Sequence, residues 1–390
     1  MAVLARAGHE VRRGARPEFD LARDHDEAAW RGRLAGLDAV VNAVGLIREE
    51  GAQTFEAVHV RGPVALFGAC AALGIRVIQL SALGADAGAA SAFHRTKKVA
   101  DDALLALDVP ALVVQPSLVY GPGGASARLF TLMATLPVHL LPGDGAQRIQ
   151  PVHVDDLAEA CVAALERPPP RGRLAAVGPT PVTLREFLAH LRAALGLAPA
   201  RAVALPMALV RLAARLRLGL LDRDALAMLE RGNTADPGPF TALLGRSPRA
   251  VEHFVDPALR EAVRRDAALD WLLLLLRVSV AIVWIATAIV TVGPYPVEAS
   301  LALLAPTGLT GRVALVALYG AAALDLAMGI ATLAMRRRRT LWLLQLAVIL
   351  GYTAIITVAL PEQWLHPYGP VLKNLPMMAA ILLLHQLERR

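Results

Sequence analysis

Cysteine is scarce in this chain. Only Cys70 and Cys161 occur among 390 residues, and neither stands in a CxxC or Cys/His spacing. Metal sites built from thiolates and imidazoles need several such ligands at short spacings. We therefore expect no metal centre, and we interpret both cysteines as small core residues in a reducing compartment.

Aromatic residues are also few, at 5% of the chain, and no aromatic platform or basic helix suited to reading bases accompanies them. The formal charge of +7 could serve nucleic acid, anionic lipid or plain arginine-rich loops. Residues 336–339 are four arginines between two apolar runs, and the chain ends on Glu388, Arg389 and Arg390. Because this charge flanks apolar segments, we expect lipid headgroups as the partner and no nucleic acid.

Charge is nearly absent from long segments after residue 270. Residues 271–292 carry Arg277 alone, and a helix of that length reaches ~30 Å, the thickness of a bilayer core. The same pattern predicts spans at 313–335, 341–360 and 371–387. We therefore predict an all-α, four-helix transmembrane domain over 271–390, a linker over 256–270 and a soluble domain over 1–255.

Ionisable side chains inside such spans are costly and mark candidate functional positions. Arg277 would lie ~9 Å and Asp325 ~15 Å from the cytoplasmic ends of their helices, a gap that an arginine side chain can bridge. We predict that they pair, either as a structural contact or as a proton or quinone site. The arginines at 336–339 place that loop, the N-terminal domain and the C-terminus in the cytoplasm.

The soluble part alternates short β-branched runs with helical stretches, which predicts an α/β doubly wound parallel sheet. Strands are expected at 38–45, 76–81 and from 111, and helices at 53–74 and 92–107. Ligands of such sheets lie beyond the carboxyl ends of the strands. The residues predicted to line that crevice are Asn42, Ala43, Val44, Gly45, Ser81, Ala82 and residues 116–120, of which Pro116 and Ser117 are the cofactor-binding candidates.

Four motifs in this order resemble the extended and atypical short-chain dehydrogenase/reductases. They are residues 42–45 (Asn-Ala-Val-Gly), 93–97 (Phe-His-Arg-Thr-Lys), 115–123 (Gln-Pro-Ser-Leu-Val-Tyr-Gly-Pro-Gly) and 150–157 (Gln-Pro-Val-His-Val-Asp-Asp-Leu). The similarity is greatest to the branch that includes the 39 kDa accessory subunit of respiratory complex I. Residues 294–296, Asp325 and residues 364–370 are similar to DoxX-like membrane domains, which often follow such a domain in bacteria.

The resemblance implies a Rossmann-type site for NAD or NADP. Family members hold the pyrophosphate at a glycine-rich turn after a first strand, and this chain has neither. Residues 1–8 look like the end of the first helix, residues 9–13 like the second strand, and Asp20 and Leu21 like the adenine-contacting pair. We therefore expect the first strand upstream of Met1 and weak cofactor binding by the chain as it stands; a degenerate domain is the alternative.

Arg12 and Arg13 follow the expected second strand. Arginines at this place can select the 2′-phosphate of NADP, or they can be plain surface residues. The sequence leaves both interpretations open.

The resemblance also locates a catalytic Tyr-x-x-x-Lys unit, in which the tyrosine serves as acid or base. Here the two positions hold Phe93 and Lys97, so Lys97 keeps the ribose-binding role while the proton donor is missing. Ser81, Ser91 and His94 are the nearest replacements. Lys97 and Ser81 are thus the catalytic candidates.

Three further patterns yield local predictions. Asp155 or Asp156, next to His153, is expected to cap a helix over 158–165 rather than to hold a metal or a proton. Thr183 and Glu186 form a capping box. Residues 201–231 read as a basic helical region, packed on the sheet or lying on the membrane surface.

Together these observations predict a membrane-anchored, NAD(P)-binding, reductase-like protein of the bacterial inner membrane. One hypothesis is an oxidoreductase acting on a lipophilic or quinone-like substrate. The other is a non-catalytic dinucleotide-binding accessory subunit, which Phe93 favours. A transporter that uses Asp325 is a third class.

Overall fold

The computed structural model describes residues 1–89, 91–167, 171–216 and 223–388. It divides into two compact units, Met1–Ala267 (unit 1) and Ala268–Arg390 (unit 2).

Ten strands are present in the described part of unit 1: β1 (Ala39–Asn42), β2 (Arg76–Leu80), β3 (Ala111–Pro116), β4 (Val119–Tyr120), β5 (Val138–Pro142), β6 (Arg148–Ile149), β7 (Val152–His153), β8 (Gly172–Ala176), β9 (Val182–Thr183) and β10 (Arg201–Leu205). The helices of unit 1 are α1 (Ala2–Arg6), α2 (Glu27–Leu34), α3 (Gly62–Leu73), α4 (Ala92–Ala106), α5 (Ala125–Thr135), α6 (Val154–Glu166), α7 (Leu184–Ala194), α8 (Met207–Arg215), α9 (Arg223–Arg231) and α10 (Gly238–Leu244). A π-helical segment, Glu56–Arg61, precedes α3, and a 3-10 turn covers Val251–His253.

The main sheet has four parallel strands in the order β1-β2-β3-β8. Its middle strands are runs of Val, Ile and Leu because helices cover both faces. Phe67 of α3 and Leu104 of α4 are buried in the core on one side, and Leu157 of α6 and Phe240 of α10 are buried in the core on the other. The predicted doubly wound parallel sheet is confirmed.

Several elements begin where the sequence predicts them. The α4 helix starts at Ala92, and Ser91 caps it: the Ser91 hydroxyl accepts a hydrogen bond from the backbone N–H of His94 at 3.2 Å. The predicted capping box at Thr183 and Glu186 opens α7.

Other expectations are corrected. Residues 9–13 form no strand, because within the described ranges β1 bonds to β2 alone and offers no ladder to them. Residues 201–205 form strand β10, which pairs in parallel with β5, rather than the start of a helix. Residues 217–222 of the predicted helical region lie outside the described residues.

The remaining helices are α11 (Arg260–Val292), α12 (Val297–Leu304), α13 (Gly311–Ala334), α14 (Arg339–Ala359) and α15 (Asn374–Leu387). Short 3-10 turns cover Ala305–Thr307 and Pro361–Trp364. The predicted linker is therefore largely helical, since α11 begins at Arg260.

Three helices of the described chain, α11, α13 and α14, are long and apolar enough to cross a membrane by length and composition. The predicted fourth span at 371–387 stays a prediction; the helix in that range, α15, has 14 residues and rises ~21 Å. The chain before it turns at Gly369, whose φ is +53°, and the helix starts at Asn374. The α15 helix packs against α14.

Candidate functional site

The centre of the candidate site is Lys97, which lies on α4 beside the carboxyl ends of β1 and β2. Its side chain is 4% exposed, and its Nζ donates to the carbonyl oxygens of Val44 (3.1 Å) and Leu80 (3.2 Å). An ammonium group carries three N–H donors. Two are used by the described residues, so one remains for a ligand.

Burial lowers the pKa of Lys97 to about 8, while the nearby carboxylate of Asp101 acts in the opposite direction. Removal of water from around an ammonium disfavours its charged form. Lys97 therefore remains mostly charged at neutral pH and can lose a proton at mildly alkaline pH.

Gly45 allows the loop after β1 to approach Lys97. A Cβ atom at this position would lie 3.1 Å from Nζ of Lys97 and 3.5 Å from Nε2 of His59. The first distance is tighter than ordinary van der Waals contact, so a larger residue would push the lysine away. The structure thus brings Val44, Gly45 and Lys97 together, as the sequence predicts.

Ser81, the second catalytic candidate, is not free to give its proton. Its hydroxyl donates at 2.5 Å to the carboxylate of Asp101, a fully buried residue that also accepts from the amide of Gln115 at 3.3 Å. Burial raises the pKa of Asp101 to about 6. The other carboxylate oxygen of Asp101 has no hydrogen-bond partner among the described residues. Sequence reasoning missed this buried acid.

The side chain at the family's tyrosine position lies among other rings. The Phe93 ring centroid is 5.4 Å from that of His59, 5.2 Å from that of His94 and 6.3 Å from that of Phe55. A phenyl ring carries no exchangeable proton. The usual acid of this position is therefore absent.

His59, which the sequence analysis did not single out, is a neutral hydrogen-bonding link. Its Nε2 accepts the backbone N–H of Leu46 at 3.0 Å, so its Nδ1 donates to the hydroxyl of Thr96, also at 3.0 Å. Burial lowers the pKa of His59 to about 3. The one N–H of the neutral imidazole is thus used by Thr96. The sequence shows only a single histidine in a predicted helix, which does not indicate this role.

Ser91 and His94, the other candidate acids, pair with each other. The Ser91 hydroxyl lies 3.0 Å from Nδ1 of His94, and both residues are buried. Burial and the nearby charge of Arg231 lower the pKa of His94. Arg231 in turn binds the carboxylate of Asp86 at 2.6 Å. Neither candidate is a ready proton donor.

The remaining crevice residues are braced by local contacts. The Asn42 amide donates to the side chain of Gln79 at 2.7 Å, and the Ser117 hydroxyl donates to the carbonyl of Gln150 at 2.5 Å. Pro116 is buried at the end of β3, Ala82 is half-buried after β2, and Ala43 is exposed after β1. Their contact with a dinucleotide stays a prediction.

The residues expected to hold the adenosine half make contacts of their own. Arg12 pairs with Glu18 at 3.1 Å, and Arg13 is exposed. Asp20 accepts the N–H of Ala22 at 3.0 Å. Leu21 is buried, with its carbonyl so near Gly62 that a Cβ there would lie 2.3 Å away. The structure leaves their roles as predictions.

The expected capping of α6 by an aspartate is corrected. The cap is His153, whose Nδ1 accepts the N–H of Asp155 at 3.2 Å. Asp156 is fully buried instead and binds the guanidinium groups of Arg246 (2.6 Å) and Arg249. It serves as a structural anchor.

The expected Arg277 to Asp325 pair in unit 2 is also corrected. Arg277 donates to Glu388 at 3.0 Å, while Asp325 faces the hydroxyl of Tyr352 at 3.5 Å. Glu388 follows α15 and also accepts from Arg338 (3.2 Å) and Trp342 (3.0 Å). It therefore supplies the carboxylate that the sequence analysis had assigned to Asp325.

Comparison with known proteins supports both units. Residues 2–176 match the NAD dependent epimerase/dehydratase family, and residues 281–382 match the DoxX-like family. The chain is 35% identical over 139 residues to ceramide reductase of Caulobacter vibrioides, which covers 35% of this chain and 43% of that protein. It is 30% identical over 144 residues to NADH dehydrogenase [ubiquinone] 1 alpha subcomplex subunit 9 of Arabidopsis thaliana, covering 36% of each.

The chain thus spans less than half the length of both curated relatives. Among solved structures, UDP-glucuronic acid 4-epimerase from Bacillus cereus is 19% identical, with a TM-score of 0.45 over 64% of this chain and 80% of that one. The family matches agree with the parallel sheet of unit 1 and the apolar helices of unit 2. The chain therefore joins an N-terminal domain similar to the NAD dependent epimerase/dehydratase family to a C-terminal domain similar to the DoxX-like family.

Proposed function

We propose that unit 1 binds NAD or NADP and that the protein is a membrane-anchored oxidoreductase acting on a lipophilic or quinone-like substrate. The observation that carries the proposal is the buried Lys97 ammonium, which retains one N–H donor at the carboxyl ends of β1 and β2. This is the edge of a doubly wound sheet at which dinucleotides bind. The described residues fit the nicotinamide ribose, whose hydroxyls would accept the remaining hydrogen bond.

The substrate class is inferred from the setting of the domain. Three helices of the described chain can cross a bilayer, so unit 1 works next to lipid. One relative is a reductase of ceramide, and another is a subunit of a ubiquinone-linked dehydrogenase. Both names favour a substrate that partitions into the membrane.

Each residue of the candidate site has a separate role in the proposed reaction. A bound dinucleotide would supply or accept a hydride. Lys97 would orient the ribose, and it holds a transferable proton because burial brings its pKa to about 8. Asp101 holds the Ser81 hydroxyl in place next to the same strand end. Phe93 contributes apolar surface.

A non-catalytic accessory subunit is the second candidate. Phe93 favours it, because the proton donor of the family is absent and the protons of His59 and Ser81 are each engaged in a hydrogen bond. Such a subunit would bind dinucleotide without turning it over.

Assays on the full chain in lipid nanodiscs separate the two candidates. NADH and NADPH oxidation would be followed with a long-chain aldehyde, a long-chain ketone and a short-tailed ubiquinone analogue. An oxidoreductase oxidises cofactor with at least one of them and loses that rate in Lys97→Ala. Lys98→Ala is the matched control, since Lys98 pairs with Asp102 outside the site. Saturable binding with no oxidation in any assay would establish the accessory role.

We further infer that unit 1 and the C-terminus face the cytoplasm of a bacterial inner membrane, and that the protein binds no nucleic acid. The support is the arginine cluster at 336–339, which is disfavoured on the outer side. Arg389 and Arg390 lie outside the described residues. Protease added to inverted membrane vesicles should cut unit 1, whereas protease added to intact spheroplasts should spare it. The reverse result would overturn this orientation.

A further inference from the structure

Helix α8 and its C-cap residue, Leu216, present a row of leucines outward. Leu209, Leu212 and Leu216 are 59%, 50% and 59% exposed. At ~100° per residue they fall within about 60° of the helix circumference. Ala214, on another side of the helix, is buried. The α8 helix thus packs on unit 1 through one face and leaves the leucine face uncovered.

The preceding strand adds further exposed aliphatic side chains. Strands β5 and β10 pair in parallel, with Val203 opposite Leu140, and these residues are 37% and 53% exposed. Pro206 alone separates β10 from α8. Single exposed apolar residues are common, but adjoining rows of them mark interaction surfaces.

Basic residues flank these rows. Arg201 begins β10, and Arg215 ends α8 next to the leucine face. Both are exposed, and neither forms an ion pair with another residue in the described ranges. Arg211 is already neutralised by Glu230 at 2.9 Å. Within the described part of the chain, these two guanidinium groups are thus left for anionic groups outside the protein.

We propose that the α8 face, defined as Leu209, Leu212 and Leu216 with Arg201 and Arg215 at its edge, docks on the surface of an anionic bilayer. A helix that combines a leucine row with flanking arginines matches the interfacial class, whose apolar face sinks ~5–10 Å into the headgroup boundary. The spans of unit 2 keep a bilayer within reach of every copy of the chain. The leucines contact acyl chains, and the arginines contact lipid phosphates.

Site-directed fluorescence in the full chain tests the docking. Leu212→Cys would be labelled with an environment-sensitive fluorophore in nanodiscs that contain spin-labelled quencher lipids. Leu73→Cys, at the end of α3 and 44% exposed in the wild type, is the matched control. Native Cys70 and Cys161 are 0% and 4% exposed, so they should not react. Thermal unfolding of each variant verifies its fold.

We expect lipid quenching of the Leu212→Cys label to exceed that of the Leu73→Cys label by about twofold or more, given an insertion of ~5–10 Å. Quenching should fall when phosphatidylglycerol is replaced by phosphatidylcholine, and again in the Arg201→Gln, Arg215→Gln double variant. Equal quenching at both positions would overturn the proposal. A blue-shifted emission without lipid quenching would also overturn it, because a second protein surface would then cover the face. Cofactor binding, measured in parallel, reports on the proposed function independently of this result.

Discussion

Replacement of Lys97 by alanine tests the candidate site most sharply. The variant removes the single buried ammonium that faces the strand ends, together with its hydrogen bonds to Val44 and Leu80. The α4 backbone should tolerate the change, since alanine has the best helix propensity of all residues. The loss should therefore fall on the bound dinucleotide.

The magnitude follows from the contact that is lost. A hydrogen bond from a charged donor contributes about 1.5–3 kcal/mol. At about 1.4 kcal/mol per factor of ten, the affinity for NADH or NADPH should fall about 10- to 150-fold. In the wild type, affinity should also weaken above pH 8, because the pKa of Lys97 is lowered to about 8 and the amine then loses its charge. The alanine variant should lack this pH dependence.

The assay is NADH fluorescence titration of the full chain in nanodiscs between pH 6.5 and 9.5, with thermal unfolding as a check of the fold. Lys98→Ala should bind as the wild type does, because that lysine pairs with Asp102 rather than with the carbonyl groups of Val44 and Leu80. Equal affinities for Lys97→Ala and Lys98→Ala in folded protein would refute the assignment of Lys97 to the cofactor.

Three further predictions concern stability. The pKa of Asp101 is raised to about 6 in the folded protein, so its contribution to the free energy of unfolding should be fully present below pH 4. That contribution, up to about 3 kcal/mol, should be lost as the pH rises through 6. Asp101→Asn should remove this pH-dependent decline in thermal unfolding. Asp156→Ala should lower the free energy of unfolding by about 3 kcal/mol, because it removes a buried carboxylate that pairs with two arginines. Asp155→Ala should lower it by under about 1 kcal/mol. Similar losses for the two variants in denaturant melts would contradict this. Glu388→Gln should destabilise unit 2 by about 1–3 kcal/mol in nanodisc melts, and the exposed Glu362→Gln should have no effect.

Much of the fold could be predicted because its signals are local. The apolar runs of β2 and β3, the helix that begins at Ala92 and the Thr183 capping box each depend on residues close in sequence, and the structure forms all of them. Residues 9–13 and 201–205 were misassigned for the opposite reason. A strand exists only where a neighbour completes its ladder, and β10 finds that neighbour in β5, far away in the chain.

The site could be predicted only in part for a similar reason. Lys97 stands in a recognisable motif, so its place beside Val44 and Gly45 followed from the resemblance. Asp101 and His59 stand in helical patterns that give no hint of burial next to that lysine. Their roles arise from contacts with Ser81 and Thr96, which tertiary packing alone creates.

In unit 2, the depth of a residue along its predicted span did not suffice to identify its partner. Arg277 and Asp325 lie at bridgeable depths, yet hydrophobicity does not reveal which helices are neighbours. Glu388 follows α15, which packs on α14, and its carboxylate reaches Arg277 at 3.0 Å. Helix length was equally hard to judge, because an apolar run can begin before the helix does.

The most direct test of the account is flotation of the full chain with lipid vesicles after a high-salt wash, with NADH fluorescence read in each fraction. A dinucleotide-binding domain anchored in the membrane should bring the polypeptide and saturable NADH binding together into the vesicle fraction. Polypeptide that stays in the aqueous fraction, or vesicle-bound protein with no saturable NADH binding, would contradict a dinucleotide-binding domain anchored in the membrane.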